Sequence, residues 1–168
     1  MDNDEFIWMF LKNQGFTDYG CAGLMGNLAA ESGLNPNNLQ NSYNTKLGMS
    51  DAEYVAAVNN GTYSEYKFVH DSAGFGLAQW TYWSRKQNLY TYMSSHSYGI
   101  GNLQGQLEFL MQELCNSYGS VYNTLRTATS MIEASNAVML NFERPANQSA
   151  ENQRARANNG LQYYNKFS

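Results

Sequence analysis

One glutamate, Glu31, stands where a helical pattern ends, in surroundings that suit a proton donor. Apolar residues recur at helical spacing from Leu24 to Leu28, and Gly33 and Pro36 then prevent the helix from continuing. The carboxyl of Glu31 is expected beside the apolar side of this helix and near its negative end, and both effects disfavour a charged carboxylate. A carboxyl in these surroundings could hold a proton and donate it, and a solvated glutamate that closes an ordinary helix is the alternative.

A second polar and aromatic segment follows two glycines further along the chain. Gly74 and Gly76 allow the backbone to pass close to another group. The residues that follow carry amide, ring and guanidinium groups: Gln79, Trp80, Tyr82, Trp83 and Arg85. The amide can hydrogen-bond a ligand or a water, the rings can stack on a flat apolar face, and the guanidinium can bind a carboxylate. At least one tryptophan is also explained as core, and Arg85 as an exposed helix arginine.

The composition limits the kinds of partner. The 168 residues are 43% hydrophobic and include thirteen tyrosines, which is enough for one domain with a core and for rings with polar tips. Only 14% of residues are charged and the net charge is −4, so attraction to nucleic acid or to anionic lipid is not expected. A polar but mostly neutral surface fits an uncharged polymer such as a sugar chain.

Cysteine, histidine and apolar runs add further expectations. Cys21 and Cys115 lie on predicted apolar helix faces, which predicts free buried thiols, with a disulfide as the alternative. His70 and His96 stand apart from metal-ligand patterns, so no metal or cofactor is predicted. No apolar run reaches membrane-spanning length, and no signal peptide is expected. Export would then need another route, or the chain is a module of a longer protein.

Periodicity and capping residues predict a mainly α fold. Helices are predicted at residues 2–15, 17–31, 50–58, 103–114, 121–126, 131–142 and 150–167, and another from about residue 83 to a linker at 95–102. Residues 34–49 are predicted to be loop with a short strand, and 62–69 an edge strand. In the last helix, Leu161, Tyr164 and Phe167 are predicted to face inward. The expected architecture is one domain, residues 1–168, with a small β or irregular element between residues 35 and 75.

Two ordered motifs carry a family resemblance. The segments 31–36, Glu-Ser-Gly-Leu-Asn-Pro, and 74–80, Gly-Phe-Gly-Leu-Ala-Gln-Trp, resemble the paired signature of the lysozyme-like superfamily, which includes goose-type lysozymes and lytic transglycosylases. Over nearly its whole length the chain resembles the phage tail lysozyme family more closely. That family also supplies glycosidase domains to endolysins of phages of Gram-positive hosts. The closer resemblance rests on residues 7–11, 23–27, 71–74, 80–87 and 142–145.

The resemblance implies an α+β lysozyme-like fold and a glycoside hydrolase that cleaves the glycan strand of bacterial peptidoglycan. It places the general acid at Glu31, and it slightly favours an endo-β-N-acetylglucosaminidase over a muramidase. Action at the bacterial cell wall is then expected, with peptidoglycan as partner and with further wall-binding or peptidase modules in a full-length protein. A non-catalytic wall-binding module and a structural part of a phage tail tip are the alternatives.

Glycosidic cleavage commonly uses a second carboxylate, and the sequence leaves few candidates. Four of the five aspartates begin predicted helices, where a structural role suffices; the fifth, Asp71, precedes the glycine pair. Asp71 is therefore predicted as base, nucleophile or electrostatic partner, with a turn-forming aspartate as the alternative. Glu65 is a weaker candidate. Without a second carboxylate, the acetamido group or 6-hydroxyl of the substrate would have to attack, as in substrate-assisted or transglycosylase chemistry.

Overall fold

A computed structural model describes all 168 residues, and the fold is mainly α. It contains ten α-helices and one π-helical turn, Met139–Glu143, which directly follows α9. The α-helices are α1 (Asn3–Asn13), α2 (Asp18–Ser32), α3 (Asn41–Leu47), α4 (Asp51–Asn60), α5 (Glu65–His70), α6 (Trp83–Ser95), α7 (Leu103–Ser117), α8 (Gly119–Thr127), α9 (Met131–Val138) and α10 (Ala150–Phe167). None of them has both the length and the apolar character needed to span a membrane.

Local capping explains why most predicted helices are confirmed. The side chain of Thr17 accepts the backbone N–H of Gly20 at the start of α2, and Gly33 ends that helix with a left-handed φ of 63°. In α4, Ser50 and Glu53 form a reciprocal capping box. These signals lie within a few residues of the helix ends, which is why the sequence alone reveals them.

The region between residues 35 and 75 differs from the prediction. The prediction of an edge strand at 62–69 is wrong. The side chain of Ser64 accepts the backbone N–H of Lys67 and so caps the start of α5. Helix α3 lies within the predicted loop and ends at Gly48, whose φ is 67°. The β element is reduced to two isolated antiparallel bridges, which join Phe75 to Leu39 and to Trp80. The expected small irregular element is therefore largely helical.

The chain divides into two compact units. The first comprises Met1–Leu34 and Met111–Ser168, and the second comprises Asn35–Leu110. In the first unit, α2 packs against α1, α8, α9 and α10. In the second, α5 packs against α6, and Tyr54, Phe68 and Phe75 are buried against one another. The assignment of residues 1–168 to a single domain stays a prediction.

Two smaller expectations about the first unit need correction. Leu161 is exposed on α10, whereas Tyr164 and Phe167 are half-buried, so the predicted inward set is only partly right. Both cysteines are free, as predicted, but only Cys21 is buried and Cys115 is exposed. Periodicity located these helices correctly but did not show which neighbours would cover each side.

Candidate active site

Glu31 lies in the last turn of α2, held by an arginine from α10. Its side chain is 21% exposed, and its Oε2 accepts a hydrogen bond from Nη2 of Arg156 at 2.8 Å. The partial burial agrees with the prediction, but the ion pair was not foreseen. The charge-assisted hydrogen bond from this guanidinium fixes the orientation of the carboxyl.

Arg156 is itself fixed by a buried amide one turn before Glu31. Its Nη1 donates to Oδ1 of Asn27 at 3.1 Å. The Nδ2 of Asn27 donates to the backbone carbonyls of Gly23 and Ser135 at 2.9 and 3.1 Å, and to the Ser135 hydroxyl at 3.3 Å. One guanidinium therefore links the carboxyl of Glu31 to a hydrogen-bond network that joins α2, α9 and α10.

Glycines at the crossing of α2 and α10 explain why Arg156 reaches this position. A Cβ on Gly26 would lie 2.7 Å from the backbone oxygen of Arg156 and would also clash with Gly160. A Cβ on Gly160 would lie 2.7 Å from the backbone oxygen of Ala22. The two backbones touch only because both positions lack a side chain. Arg156 lies one turn before Gly160, on the same side of α10.

Asp71, the predicted second carboxylate, lies in a buried cluster in the second unit. Its side chain is 4% exposed, and its Oδ1 is 2.6 Å from Nζ of Lys86. The same oxygen accepts the backbone N–H of Ala73 at 2.9 Å, while Oδ2 accepts the hydroxyls of Tyr54 and Tyr63 at 2.6 and 2.9 Å. Both oxygens are thus used within the protein. This geometry gives the turn-forming alternative more support than a role in contact with substrate, and the catalytic role stays a prediction.

Lys86 completes this cluster, and sequence reasoning did not single it out. It is fully buried in α6, and its Nζ also donates to the carbonyl of Ala73 at 2.8 Å. Burial lowers the pKa of Lys86, while the neighbouring carboxylate of Asp71 opposes that change. Burial and the same carboxylate raise the pKa of both Tyr54 and Tyr63, which keeps them hydrogen-bond donors. No local sequence signal marked Lys86, because its partner lies fifteen residues earlier in the chain.

Gln79 is held in place by its own amide nitrogen. Its backbone is left-handed, with a φ of 54°. The Nε2 donates to the backbone oxygens of Asn38 and Gly76, both at 3.0 Å, and to the Asn38 side chain at 3.1 Å. The amide nitrogen is therefore engaged within the second unit. The predicted contact of Gln79 with a ligand stays a prediction.

The predicted ring and guanidinium groups separate into core and surface. Trp80 is fully buried and packs edge-on against Phe109, with ring centroids 5.4 Å apart. Its predicted stacking on a ligand is therefore wrong, and the core alternative holds for this tryptophan. Tyr82 and Trp83, by contrast, are 63% and 52% exposed. Arg85 is half-buried in the first turn of α6.

The candidate residues fall in both units. Glu31 belongs to the first, whereas Asp71, Gln79, Tyr82, Trp83 and Arg85 belong to the second. The expected approach of the Gln79 segment to Glu31 stays a prediction. The structure brings together no group of three or more His, Cys, Asp or Glu side chains that could hold a metal ion.

Comparison with known protein families agrees with the motifs at Glu31 and Gln79. The family model described as Phage tail lysozyme matches residues 2–167, nearly the whole chain. This match supports a lysozyme-like glycosidase of bacteriophage type, with the peptidoglycan of the bacterial cell wall as the substrate that the family implies. Because the match covers the first and second units alike, the chain belongs to the phage tail lysozyme family.

Proposed function

We propose that this protein hydrolyses β-1,4 glycosidic bonds in the glycan strand of peptidoglycan, with Glu31 as the general acid. The observation that carries the proposal is the carboxyl of Glu31, which is partly exposed and fixed by Arg156 in a chain that matches a lysozyme family from residue 2 to residue 167. A general acid must be both accessible to its substrate and held in one orientation. Glu31 meets both requirements.

The surroundings of Glu31 suit both states of a group that gives up a proton. A sugar bound against the carboxyl excludes water, and loss of hydration favours the protonated form. Transfer of that proton to the glycosidic oxygen leaves a carboxylate, which the guanidinium of Arg156 at 2.8 Å then stabilises. Arg156 is a positioning residue in this mechanism, because it acts on the substrate only through Glu31.

The group that attacks the sugar is a separate part of the proposal. A nucleophile or base must touch the sugar or a water, but both oxygens of Asp71 are bonded inside the protein. The burial of Asp71 therefore supports attack by the acetamido oxygen or the 6-hydroxyl of the substrate. Attack by the acetamido oxygen is completed by water and is hydrolysis. Attack by the 6-hydroxyl would instead be an alternative to hydrolysis: the glycosidic bond breaks, Glu31 protonates the leaving sugar, the hydroxyl proton passes to the resulting Glu31 carboxylate, and a 1,6-anhydro ring forms without water.

The bond that is cut can be identified from the products. By resemblance to endolysin domains, we propose an endo-β-N-acetylglucosaminidase in preference to a muramidase. Mass spectrometry of digested peptidoglycan would then find N-acetylglucosamine at the new reducing ends. N-acetylmuramic acid there would indicate a muramidase, and a 1,6-anhydro end would indicate transglycosylase chemistry.

Replacement of Glu31 by glutamine tests the general acid. Glu31→Gln keeps the size of the side chain and can accept the hydrogen bond of Arg156, but it has no proton of suitable acidity. We expect it to fold and to lose lysis of a Gram-positive cell-wall suspension. Glu151→Gln, an exposed glutamate in α10, is the control for a lost negative charge. Undiminished lysis by folded Glu31→Gln contradicts the assignment of the general acid. If the unaltered protein binds peptidoglycan but produces no new reducing ends, it is a non-catalytic module.

The net charge of −4 bears on how the protein finds its substrate. Bacterial walls are anionic, and a negatively charged enzyme gains no electrostatic attraction from them. We therefore propose that wall-binding modules or other phage components bring it to the wall. Equal lysis by the isolated chain and by a longer natural protein that contains it would contradict this proposal.

A further inference from the structure

The most exposed aromatic side chains of the protein lie together. Among its Phe, Tyr and Trp residues, only Tyr66, Tyr82 and Trp83 are predominantly exposed. Tyr66 is the most exposed of the three, at 71%. Tyr66 belongs to α5, Tyr82 directly precedes α6, and Trp83 is the first residue of that helix. Exposed rings that gather in one place commonly mark a binding surface.

An exposed histidine joins these rings into a continuous row, here called the aromatic strip and made of Tyr66, His70, Trp83 and Tyr82. The rings of Tyr66 and His70 stack with centroids 4.2 Å apart. The ring planes of His70 and Trp83 are inclined by only 8°, and their centroids are 6.3 Å apart. The ring centroid of Tyr82 lies 6.1 Å from that of Trp83. The Nδ1 of His70 is 2.9 Å from the carbonyl of Tyr66, which holds the imidazole in the row.

The chemistry of the aromatic strip favours a sugar over a protein as its ligand. The exposed large aliphatic residues, Met1, Met9, Ile132 and Leu161, all lie in the first unit and not in the strip. The strip offers only rings, each with a polar atom on its edge. A pyranose has the matching character, with an apolar C–H face and a rim of hydroxyl and amide groups.

We propose that the aromatic strip binds sugar rings of the peptidoglycan glycan strand. The proposal rests on the proposed function for the identity of the polymer, and it extends the predicted contacts of Tyr82 and Trp83 to Tyr66 and His70. The strip binds the sugar-ring faces of the strand and not its lactyl or peptide carboxylates, because the strip contains no lysine or arginine to pair with them. Its role is to hold the strand, and it takes no part in proton transfer.

Tryptophan fluorescence gives a direct test, because Trp83 is the only exposed tryptophan. The other two, Trp8 and Trp80, are buried. The Glu31→Gln variant, which leaves the glycan uncut, is titrated with peptidoglycan glycan strands freed of stem peptides, while acrylamide quenches the exposed tryptophan. We expect bound strands to protect Trp83 from quenching. Tyr66→Ala and His70→Ala, each in the same background, are expected to weaken binding about three- to tenfold.

The protein supplies a matched control for the histidine. His96 stacks on Tyr92 with centroids 4.0 Å apart, and its Nδ1 is 2.8 Å from the Tyr92 carbonyl, so it repeats the same motif outside the strip. His96→Ala should bind like the background variant. Equal effects of His70→Ala and His96→Ala, or unprotected Trp83 at saturating glycan, overturn the proposal. Because this readout is binding, its failure leaves the test of Glu31 by lysis unaffected.

Discussion

Replacement of Arg156 by methionine separates the anchoring of Glu31 from the presence of its carboxyl. Arg156→Met keeps much of the buried aliphatic stem but removes both hydrogen bonds, at 2.8 Å to Glu31 and at 3.1 Å to Asn27. We expect the carboxyl of Glu31 to remain in α2 but to sample several rotamers. Hydrolysis should then fall sharply although the predicted acid is still present.

The size of the effect follows from the two lost bonds. Both bonds are donated by the charged guanidinium, and a hydrogen bond that involves a charged group contributes about 1.5–3 kcal/mol to stability. The exposed fifth of the Glu31 side chain lets water solvate the abandoned charge, which favours the lower end of that range. We expect a loss of about 3 kcal/mol in unfolding free energy, or roughly 6–12 °C in Tm for a chain of this size. Misplacement of a catalytic group by 1 Å can cost about 100-fold in rate, and kcat should fall by about that factor.

The assay compares thermal unfolding with kcat and KM on purified peptidoglycan. Loss of orientation should lower kcat more than it changes KM, because the carboxyl acts in the chemical step. Arg156→Lys, which supplies a charge but no two-pronged contact, should recover part of the rate. Lys166→Met is the control, because it breaks an exposed ion pair between α10 and Asp4. An unchanged kcat in folded Arg156→Met would refute the positioning role.

Two further predictions concern groups away from Glu31. Asp71→Asn leaves the charge of Lys86 buried without a carboxylate, so we expect the free energy of unfolding, measured in urea, to fall by about 3–5 kcal/mol. The Asp71→Asn/Lys86→Met double variant should recover much of this loss. Wild-type stability together with lost activity in Asp71→Asn would instead support a catalytic Asp71. Burial raises the pKa of Cys21 to about 12, whereas Cys115 is exposed. At pH 8 a thiol reagent should therefore modify only Cys115 in the folded protein, and both cysteines after denaturation. Rapid reaction of two thiols in the folded state would contradict this prediction.

The end of α2 was predictable because its signals are local. Apolar spacing, Gly33 and Pro36 together place Glu31 in a final helical turn. Its partner Arg156 lies 125 residues further on, and the packing of α10 against α2, with its close contact at Gly26 and Gly160, brings the two together. The pattern of one segment contains no information about such a pairing.

The second unit was harder to predict because short elements there depend on tertiary contacts. Residues 62–69 are rich in ring and β-branched side chains, which is typical of a strand, yet the Ser64 cap and the burial of Phe68 and Val69 make α5 a helix. Trp80 and Trp83 look alike in sequence, three residues apart. Packing against Phe109 makes the first of them core, and nothing comparable covers the second.

The division of the chain has a consequence for biosynthesis. The second unit is one continuous stretch, Asn35–Leu110, while the first is assembled from two stretches on either side of it. As the polypeptide leaves the ribosome, the continuous stretch can collapse early, but the first unit must wait for its distant half, at the entropic cost of closing a long loop. Glu31 is therefore translated well before Arg156, so a nascent chain contains this carboxyl before it contains the guanidinium that fixes it.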